Sequence, residues 1–296
     1  MRALVIGASG QVGAAVADIL AARGHAVVGT HHGHPDPRTH PLDLRDADAV
    51  ERLVEAAAPD WVFCPAGLTA VDPCEDREDE ARALNCDGPA AAARAAARRG
   101  AGFVFFSTEY VFDGTAGPYR EDAQPCPISV YGRSKLEGEA AVQAGNERAA
   151  IVRTTVVYGP DPKEKNFVYA VLRAARMGSP MRVVTDQISS PTYAPDLAAA
   201  CVELAERGVA GVINLAGDVV LPRLDFARLV CDEFGLDPGV LAPVTTAELS
   251  QRAPRPLCAG LVVERARGLL ATPLRGPRAG LAAMRQALEA EPGRRR

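Results

Sequence analysis

The sequence predicts an α/β protein in which helices cover both faces of a mostly parallel sheet. Short apolar runs alternate along the chain with segments of helical periodicity, the pattern of repeated βαβ units. The apolar runs carry no alternating polar residues, which is typical of strands that are buried on both faces. A glycine-rich turn joins the first apolar run to the first helical segment.

Six strands and five helices follow from this alternation. The predicted strands are 3–6, 25–29, 61–64, 103–106, 149–153 and 212–215. The predicted helices are 11–23, 47–57, 78–99, 130–144 and 196–207, where apolar residues recur with helical spacing.

Prolines become frequent after residue 159 and break the chain into short pieces, which predicts a smaller, irregular second lobe. We therefore assign residues 1–159 to the sheet core and 160–290 mainly to the second lobe. Segments near 182–184 and 196–215 are expected to return to the core sheet, and residues 291–296 to form a disordered tail.

Composition restricts the class of protein. The 296 residues are 48% hydrophobic and 24% charged, and the net charge of −4 argues against a nucleic-acid or anionic-membrane partner. Neither a membrane span nor a signal peptide is predicted, because no apolar stretch is long enough and the first one begins at residue 3. Seven cysteines without a Cys-x-x-Cys pair predict free thiols, no zinc site and a cytoplasmic location. The acidic run 72–80 is expected to be a solvated helix start, and no metal site is predicted.

The glycine turn predicts a dinucleotide-binding site. Gly7 permits a tight turn, Gly10 allows backbone N–H groups to approach a diphosphate, and Gly13 lets the helix pack close to the sheet. The helix N-terminus supplies favourable charge for the anion. The predicted cofactor-binding residues of the turn are Gly7, Ser9, Gly10, Gln11, Val12 and Gly13.

The end of the second strand favours NADPH over NADH, although NADH stays open. An NAD site usually has an acid there for the ribose 2′-hydroxyl, and this sequence has none. Thr30, His31 and Arg38 are the predicted contacts of a 2′-phosphate. Asp43 and Leu44 stand where an adenine edge could be contacted, or where Asp43 could cap the next helix.

Tyr131 and Lys135 are one helical turn apart, so both side chains share one face of a helix. A free tyrosine has a pKa near about 10, and a neighbouring lysine cation is expected to lower that pKa. Thr108 precedes Tyr131 by 23 residues, and its hydroxyl could hold a substrate carbonyl while Tyr131 moves the proton.

With these residues, the chain resembles the extended short-chain dehydrogenase/reductases, and within them the dTDP-4-dehydrorhamnose reductase family. The matching strings include GASGQVG, LNCDGP, STEYVFDG, YGRSKLEGE, RTTVVYG, DQISSPTYAPDLA and RAPRPL, in family order from residue 7 to 257. The resemblance implies a Rossmann-type doubly wound parallel sheet, an α+β C-terminal substrate lobe, and reduction of a nucleotide-activated 4-keto-6-deoxysugar by NAD(P)H.

Site roles are carried over from this resemblance position by position. Thr108, Tyr131 and Lys135 become the catalytic set, with Tyr131 as proton donor and Lys135 also on the nicotinamide ribose. Ala66 and Gly67 match the segment that lines the cofactor. The implied substrate residues are Glu109, Tyr110, Val156, Gln187, Pro191 and Thr192. Val156 stands where the family typically has a tryptophan against the sugar, so the resemblance leaves the sugar unidentified.

Two other functions remain open on this scaffold. The regulatory β subunit of methionine adenosyltransferase has similar motifs and acts by binding a partner enzyme. A nucleotide-sugar epimerase or dehydratase would recycle its cofactor, although a dehydratase usually has an acid pair after the catalytic threonine, and here only Glu109 follows. A homodimer is also left open.

Overall fold

The computed structural model describes residues 1–33 and 38–290, and a parallel sheet forms its centre. The strands are β1 Arg2–Val5, β2 Ala26–His31, β3 Thr39–Pro41, β4 Trp61–Cys64, β5 Gly102–Thr108, β6 Ala149–Thr154, β7 Val157–Tyr158, β8 Met181–Val184, β9 Ile188–Ser189, β10 Thr192–Tyr193, β11 Gly211–Asn214, β12 Leu221–Pro222 and β13 Leu241–Val244. Seven of them form one sheet in the order β11-β6-β5-β4-β1-β2-β3, with every neighbouring pair parallel.

The α-helices occupy most of the chain between these strands. They are α1 Gln11–Ala22, α2 Ala47–Ala57, α3 Val71–Asp76, α4 Glu78–Arg82, α5 Gly88–Arg98, α6 Val130–Gly145, α7 Phe167–Met177, α8 Ala194–Glu206, α9 Arg223–Phe234, α10 Thr246–Leu249, α11 Glu264–Leu269 and α12 Pro277–Ala290. A π-helical turn, Ala83–Asp87, joins α4 to α5, and 3₁₀ turns lie at Glu109–Val111 and Pro238–Val240.

Alternate residues of each central strand face opposite helix layers, as the period of two requires. Val5 of β1 packs with Val16 and Leu20 of α1 on one face, where α8 also contributes. Leu4 faces the opposite layer, which contains Val50 of α2 and the alanine-rich side of α5. Both faces of the sheet are therefore buried, and the predicted doubly wound α/β fold is confirmed.

The chain reverses its direction of sheet growth at β1, which lies between β2 and β4. In open α/β sheets, ligands bind beyond the carboxyl ends of the strands at such a switch point. The glycine turn follows β1, Ala66 and Gly67 follow β4, and Thr108 ends β5, so these residues reach the same edge of the sheet.

The second lobe has its own core between α7, α9 and α12, built around residues such as Tyr158, Leu172 and Phe226. Strand β8 pairs with β13 in a separate two-stranded sheet. The prediction that residues 182–184 rejoin the central sheet is therefore wrong. Within 196–215, β11 is an edge strand of that sheet and α8 packs against one of its faces. The predicted tail, 291–296, lies outside the described residues.

Two local features differ from the sequence prediction. Six of the seven strands in the central sheet were predicted. Strand β3 was not, because its three residues form no apolar run and are partly exposed. Asp46, not Asp43, caps α2 by accepting a hydrogen bond from Ala49 N at 2.9 Å. Among the described residues, no helix has both the length and the apolar character needed to cross a membrane.

Candidate active site

The glycine turn after β1 forms a compact cradle. Gly7 has a φ of +96°, a conformation that a residue with a Cβ rarely adopts. Its N–H donates to the Thr30 hydroxyl at 3.0 Å, and Gly10 N donates to the Gly7 carbonyl at 3.1 Å. A Cβ on Gly13 would collide with that same carbonyl, so glycine is required for the helix to approach the turn.

This cradle fits a dinucleotide diphosphate, because the start of α1 presents backbone N–H groups with no acidic residue in its first turn. Ser9 lies in the half-buried turn, and the partly buried Val12 packs against the core. Gln11 donates from Nε2 to the Gly159 carbonyl at 3.3 Å, which ties the turn to the beginning of the second lobe.

The predicted adenosine end of the site is a cavity of about 320 Å³ beside β2 and β3. Its lining residues are His31, His32, Gly33, Pro41, Leu42, Asp43 and Ala49. His31 Nδ1 lies 2.7 Å from the Thr39 hydroxyl, and Arg38 occupies an exposed position directly before β3. Both basic residues are thus at the end where a 2′-phosphate would lie.

Three predicted residues of this end have other contacts. Thr30 is 1% exposed, and its hydroxyl is used by Gly7. Leu44 packs its side chain into the core. Asp43 lines the cavity but binds Arg45, whose hydrogen bonds lower the pKa of the carboxyl to about 2. Asp43 is therefore an ionised acceptor at neutral pH.

Helix α6 carries both Tyr131 and Lys135 on the face that is turned to β5. The Ser129 hydroxyl caps the helix by accepting from Gly132 N at 3.1 Å. Lys135 Nζ donates to the Phe106 carbonyl at 3.0 Å and lies 4.9 Å from the centre of the Phe105 ring. The structure thus brings Tyr131 and Lys135 to the carboxyl end of the strand that bears Thr108.

Burial controls the ionisation of both groups. It raises the pKa of the Tyr131 phenol, with a smaller contribution from Glu109, and the Thr108 hydroxyl opposes the shift. It also lowers the pKa of Lys135 to about 8. The sequence analysis expected a lowered pKa for Tyr131, whereas the net pKa is raised, because the desolvation of the phenol dominates. Tyr131 is consequently protonated at neutral pH, the state that a proton donor needs.

Glu109 forms a buried hydrogen-bonded bridge next to Tyr131. Its carboxylate accepts from the Thr108 hydroxyl at 2.8 Å and from the Thr155 hydroxyl at 2.7 Å. Burial raises the pKa of this carboxyl, and the two hydroxyls partly offset the effect. Since a threonine has one hydroxyl proton, Thr108 can donate to a substrate oxygen only after releasing Glu109.

The Tyr110 ring meets the Tyr131 ring edge-on, with centroids 5.4 Å apart.

Gly67 lies beside Lys135 and Ala66 packs against Gly7, in the segment that the resemblance assigns to the cofactor. A Cβ on Gly67 would be 2.6 Å from Asn85 Oδ1 and 3.1 Å from Lys135 Nζ. Asn85 fixes the next residue, accepting from Leu68 N at 2.9 Å and donating to its carbonyl at 3.0 Å. Asn85 was missed by the sequence prediction, although the string LNCDGP contains it and its π-helical turn is typical of functional sites.

Val156 has a φ of +43°, a left-handed conformation that is strained for a β-branched residue. It follows Thr155 directly, and its carbonyl accepts from Thr192 N at 3.2 Å. The position that the resemblance assigns to a sugar-facing wall is therefore held in a specific geometry by the second lobe.

The side chains of Gln187 and Thr192 have their hydrogen bonds within the second lobe. Gln187 donates from Nε2 to the Thr246 hydroxyl at 3.1 Å and to Gln251 Oε1 at 3.0 Å. Thr192 is buried and donates to the Ser190 carbonyl at 3.0 Å, and Pro191 between them is also buried. These contacts shape the loop of the second lobe and are separate from the hydrogen bonds around Tyr131.

The acidic run 72–80, predicted to be only a solvated helix start, has two members that support the site. Glu75 Oε1 accepts from Val130 N at 2.8 Å at the beginning of α6, and Asp72 binds Arg255. No group of histidine, cysteine or acidic residues in the described parts of the chain could hold a metal ion.

Comparison with known families identifies the relationship. Residues 1–290 match the family model described as the RmlD substrate binding domain. The chain belongs to this family. The match covers the sheet core and the second lobe alike, and the predicted relationship to dTDP-4-dehydrorhamnose reductases is confirmed.

Individual members show how similar the chain is. It is 37% identical to the dTDP-4-dehydrorhamnose reductase of Mycolicibacterium smegmatis, over 95% of this chain and 84% of that one. The structure of dTDP-4-dehydrorhamnose reductase from Bacillus anthracis, in complex with NADP, has a TM-score of 0.89 at 28% identity, covering 97% of this chain and 99% of that one. Methionine adenosyltransferase 2 subunit beta of Xenopus tropicalis is 34% identical, over 86% of this chain and 78% of that one.

Proposed function

We propose that the chain is an NADPH-dependent reductase of a nucleotide-activated 4-keto-6-deoxysugar. The observation that carries this proposal is the buried, protonated Tyr131, which stands with Lys135 and Thr108 at the edge of the sheet where the glycine cradle lies. The resemblance to reductases over both lobes supports the same substrate class.

When bound along the glycine cradle, NADPH supplies the hydride. The chain's own residues handle the oxygen of the ketone. Tyr131 donates the phenolic proton to the C4 oxygen, and Thr108 holds that oxygen once its hydroxyl turns from Glu109. The Lys135 ammonium stabilises the phenolate that remains, because an adjacent cation favours the charged form of the phenol.

A regulatory role is the second candidate, because the chain is similar to the methionine adenosyltransferase subunit. The intact proton-transfer set argues for catalysis, since a protein that only binds a partner does not need a buried donor beside a buried ammonium. A dehydratase is disfavoured because Glu109 is the only acid directly after Thr108, where a dehydratase usually has an acid pair.

Cofactor consumption distinguishes these functions. We expect purified enzyme with dTDP-4-dehydrorhamnose or another nucleotide-4-keto sugar to oxidise one NADPH for each sugar reduced. An epimerase or dehydratase would show no net oxidation, and a regulator would show no sugar conversion. Tyr131→Phe is the control: it keeps the ring but lacks the proton donor, so turnover falls by about 10²-fold or more while NADPH binding persists.

The seven free thiols, five of them buried, fit a reducing compartment, and we propose a cytoplasmic location. We also propose self-association into a homodimer. Cell fractionation tests the location, and light scattering at several protein concentrations tests the association. A monomer at every concentration would reject the dimer.

A further inference from the structure

Helix α6 places Tyr131 in its first turn, where backbone N–H groups have no partner within the helix. The Ser129 hydroxyl caps this turn by accepting from Gly132 N. The N–H of Val130, one residue before Tyr131, donates instead to Glu75 Oε1 at 2.8 Å. Glu75 belongs to α3 and precedes Val130 by 55 positions, so the start of α6 is fixed to a second helix.

Helix α3 also packs around the proton donor. Cys74 is fully buried and lies in the small apolar cluster that contains Tyr131, and Val71 packs against the same cluster. Glu75 follows Cys74 directly and is half-buried. The same short helix therefore contributes to the apolar surroundings of Tyr131 and holds the backbone beside it through a carboxylate.

Polar contacts hold α3 itself to the second lobe. Asp72 Oδ1 accepts from Ala253 N at 3.0 Å and from Arg255 Nη2 at 2.8 Å. A group that positions a site residue is effective only if it is held in place, because looseness in the supporting contacts passes into the site. The bonds of Asp72 give Glu75 this support.

We propose that Glu75 is a positioning residue for the proton donor. Its carboxylate fixes the first turn of α6 and thereby the distance from the Tyr131 phenol to the substrate oxygen. It acts through the backbone of Val130 and touches no reacting atom. A displacement of about 1 Å can lower a rate by about 10²-fold. The inference rests on the proposed function for the role of Tyr131, but the placement of the Tyr131 ring is measurable without turnover.

A carboxylate at the start of a helix acts in two ways, which three variants separate. Its charge favours the helix N-terminus, and its oxygen accepts a hydrogen bond that requires a defined distance. Glu75→Ala removes both effects. Glu75→Gln keeps an acceptor oxygen at the same reach without the charge. Glu75→Asp keeps the charge but withdraws the oxygen by about 1.5 Å, the length of one C–C bond.

Steady-state kinetics of NADPH oxidation with a nucleotide-4-keto sugar give the first readout. We expect kcat to fall about 10- to 100-fold in Glu75→Ala and Glu75→Asp, and to stay within about threefold of wild type in Glu75→Gln. The Kd of NADPH should not change, because the glycine cradle is built by other elements. Unchanged kcat in Glu75→Ala would overturn the proposal, as would loss of kcat in Glu75→Gln with retention in Glu75→Asp.

Asp237→Ala is the matched control for a loss of stability. Asp237 also accepts from a backbone N–H at the start of a helical turn, that of Gly239 at 2.8 Å, but it lies in the second lobe before Pro238–Val240. Its removal should leave kcat unchanged, and denaturant unfolding of both variants gives their losses of stability. Equal losses of kcat in Asp237→Ala and Glu75→Ala would reflect weakened folding and reject the positioning role.

A fluorotyrosine introduced site-specifically at position 131 gives a readout that needs no turnover. We expect its fluorine NMR resonance to be the same in wild type and Glu75→Gln. In Glu75→Ala and Glu75→Asp the resonance should be shifted or broadened, because the ring then samples other positions. If no sugar is reduced but the resonance follows this pattern, only the proposed reaction fails. If Glu75→Ala leaves the resonance unchanged, the positioning role is wrong whether or not a sugar is reduced.

Discussion

Lys135 is a buried ammonium whose charge depends on pH within the range where enzymes are assayed. Its pKa of about 8 lies below the usual value of 10.5, because burial disfavours the charged form. The cation is therefore present below about pH 8 and is lost above it, in contrast to an exposed lysine.

We expect kcat/KM for NADPH to fall as the pH rises through about 8, because this parameter reports ionisations of the free enzyme. The measurement is a pH–rate profile between about pH 6 and 10 at constant ionic strength. Lys135→Arg keeps the charge at all these pH values and should remove the basic limb. A flat wild-type profile up to about pH 9.5 would contradict the assignment.

We expect Val156 to influence which sugar the site accepts. A valine offers less flat apolar surface than the tryptophan that the family typically has there, so dTDP-4-dehydrorhamnose should not be the best substrate. The stabilisation lost with one stacking contact is about 0.5–1.5 kcal/mol. The reduction of dTDP-4-dehydrorhamnose should therefore be weak but measurable.

Comparing kcat/KM for several nucleotide-4-keto sugars in wild type and Val156→Trp tests this expectation. The tryptophan variant should improve the rank of the rhamnose precursor. Val156→Leu is a control for size without stacking. A wild type that already prefers that precursor, or a ranking that Val156→Trp does not change, would disprove the idea.

At the scale of elements, α6 must approach the 3₁₀ turn Glu109–Val111 very closely to place Tyr131. Gly132 makes this approach possible, because a Cβ there would collide with the Tyr110 carbonyl. The contact is between backbones, so neither partner can move without displacing a site residue.

Gly132→Ala should therefore destabilise the fold by about 1–3 kcal/mol, the usual range for overpacking, and should lower kcat beyond its effect on stability. Denaturant unfolding and steady-state kinetics measure the two effects. Gly268→Ala is the matched control, since a Cβ added at that position would have no atom within 4 Å and alanine favours helix there. Equal stability of the two variants would show that the approach is not tight.

At the scale of the whole molecule, one buried ion pair joins two central strands to α6. Arg153 of β6 donates from Nε and Nη2 to Glu139 at 2.9 and 2.6 Å, and Ser107 of β5 donates to the same carboxylate. Both charged side chains are 5% exposed or less. The pair lies near the edge of the sheet that supplies Thr108.

Glu139→Gln should lower the free energy of unfolding by about 3–5 kcal/mol, because it leaves the Arg153 charge buried without a counter-charge. Chemical denaturation of the purified variant gives this value. Glu51→Gln breaks the exposed pair with Arg98 and should cost less than about 1 kcal/mol. Similar losses in the two variants would mean that burial does not determine the contribution of this pair.

The sequence predicts those parts of the molecule that have a strong local signal. For strand β4 and helix α2, the predicted first and last residues are those of the structure. A continuous apolar run defines the strand and a regular helical period defines the helix. Strand β3 has neither signal, and the pairing of β8 with β13 depends on chain segments about 60 residues apart. Tyr131 and Lys135 follow from their spacing, whereas Arg255 and Asp72 meet across 183 positions and only tertiary structure brings them together.

The carbonyl of Gly159 accepts hydrogen bonds from side-chain amides of both lobes: from Gln11 in the glycine turn, and from Asn166 at the start of α7 at 2.9 Å. We therefore expect any movement of α1 on arrival of a diphosphate to be transmitted to α7, the first helix of the second lobe. Such coupling is reciprocal, so each ligand changes the affinity for the other by the same factor. We expect synergy between the two substrates, with bound reduced cofactor increasing the affinity of the second lobe for the sugar.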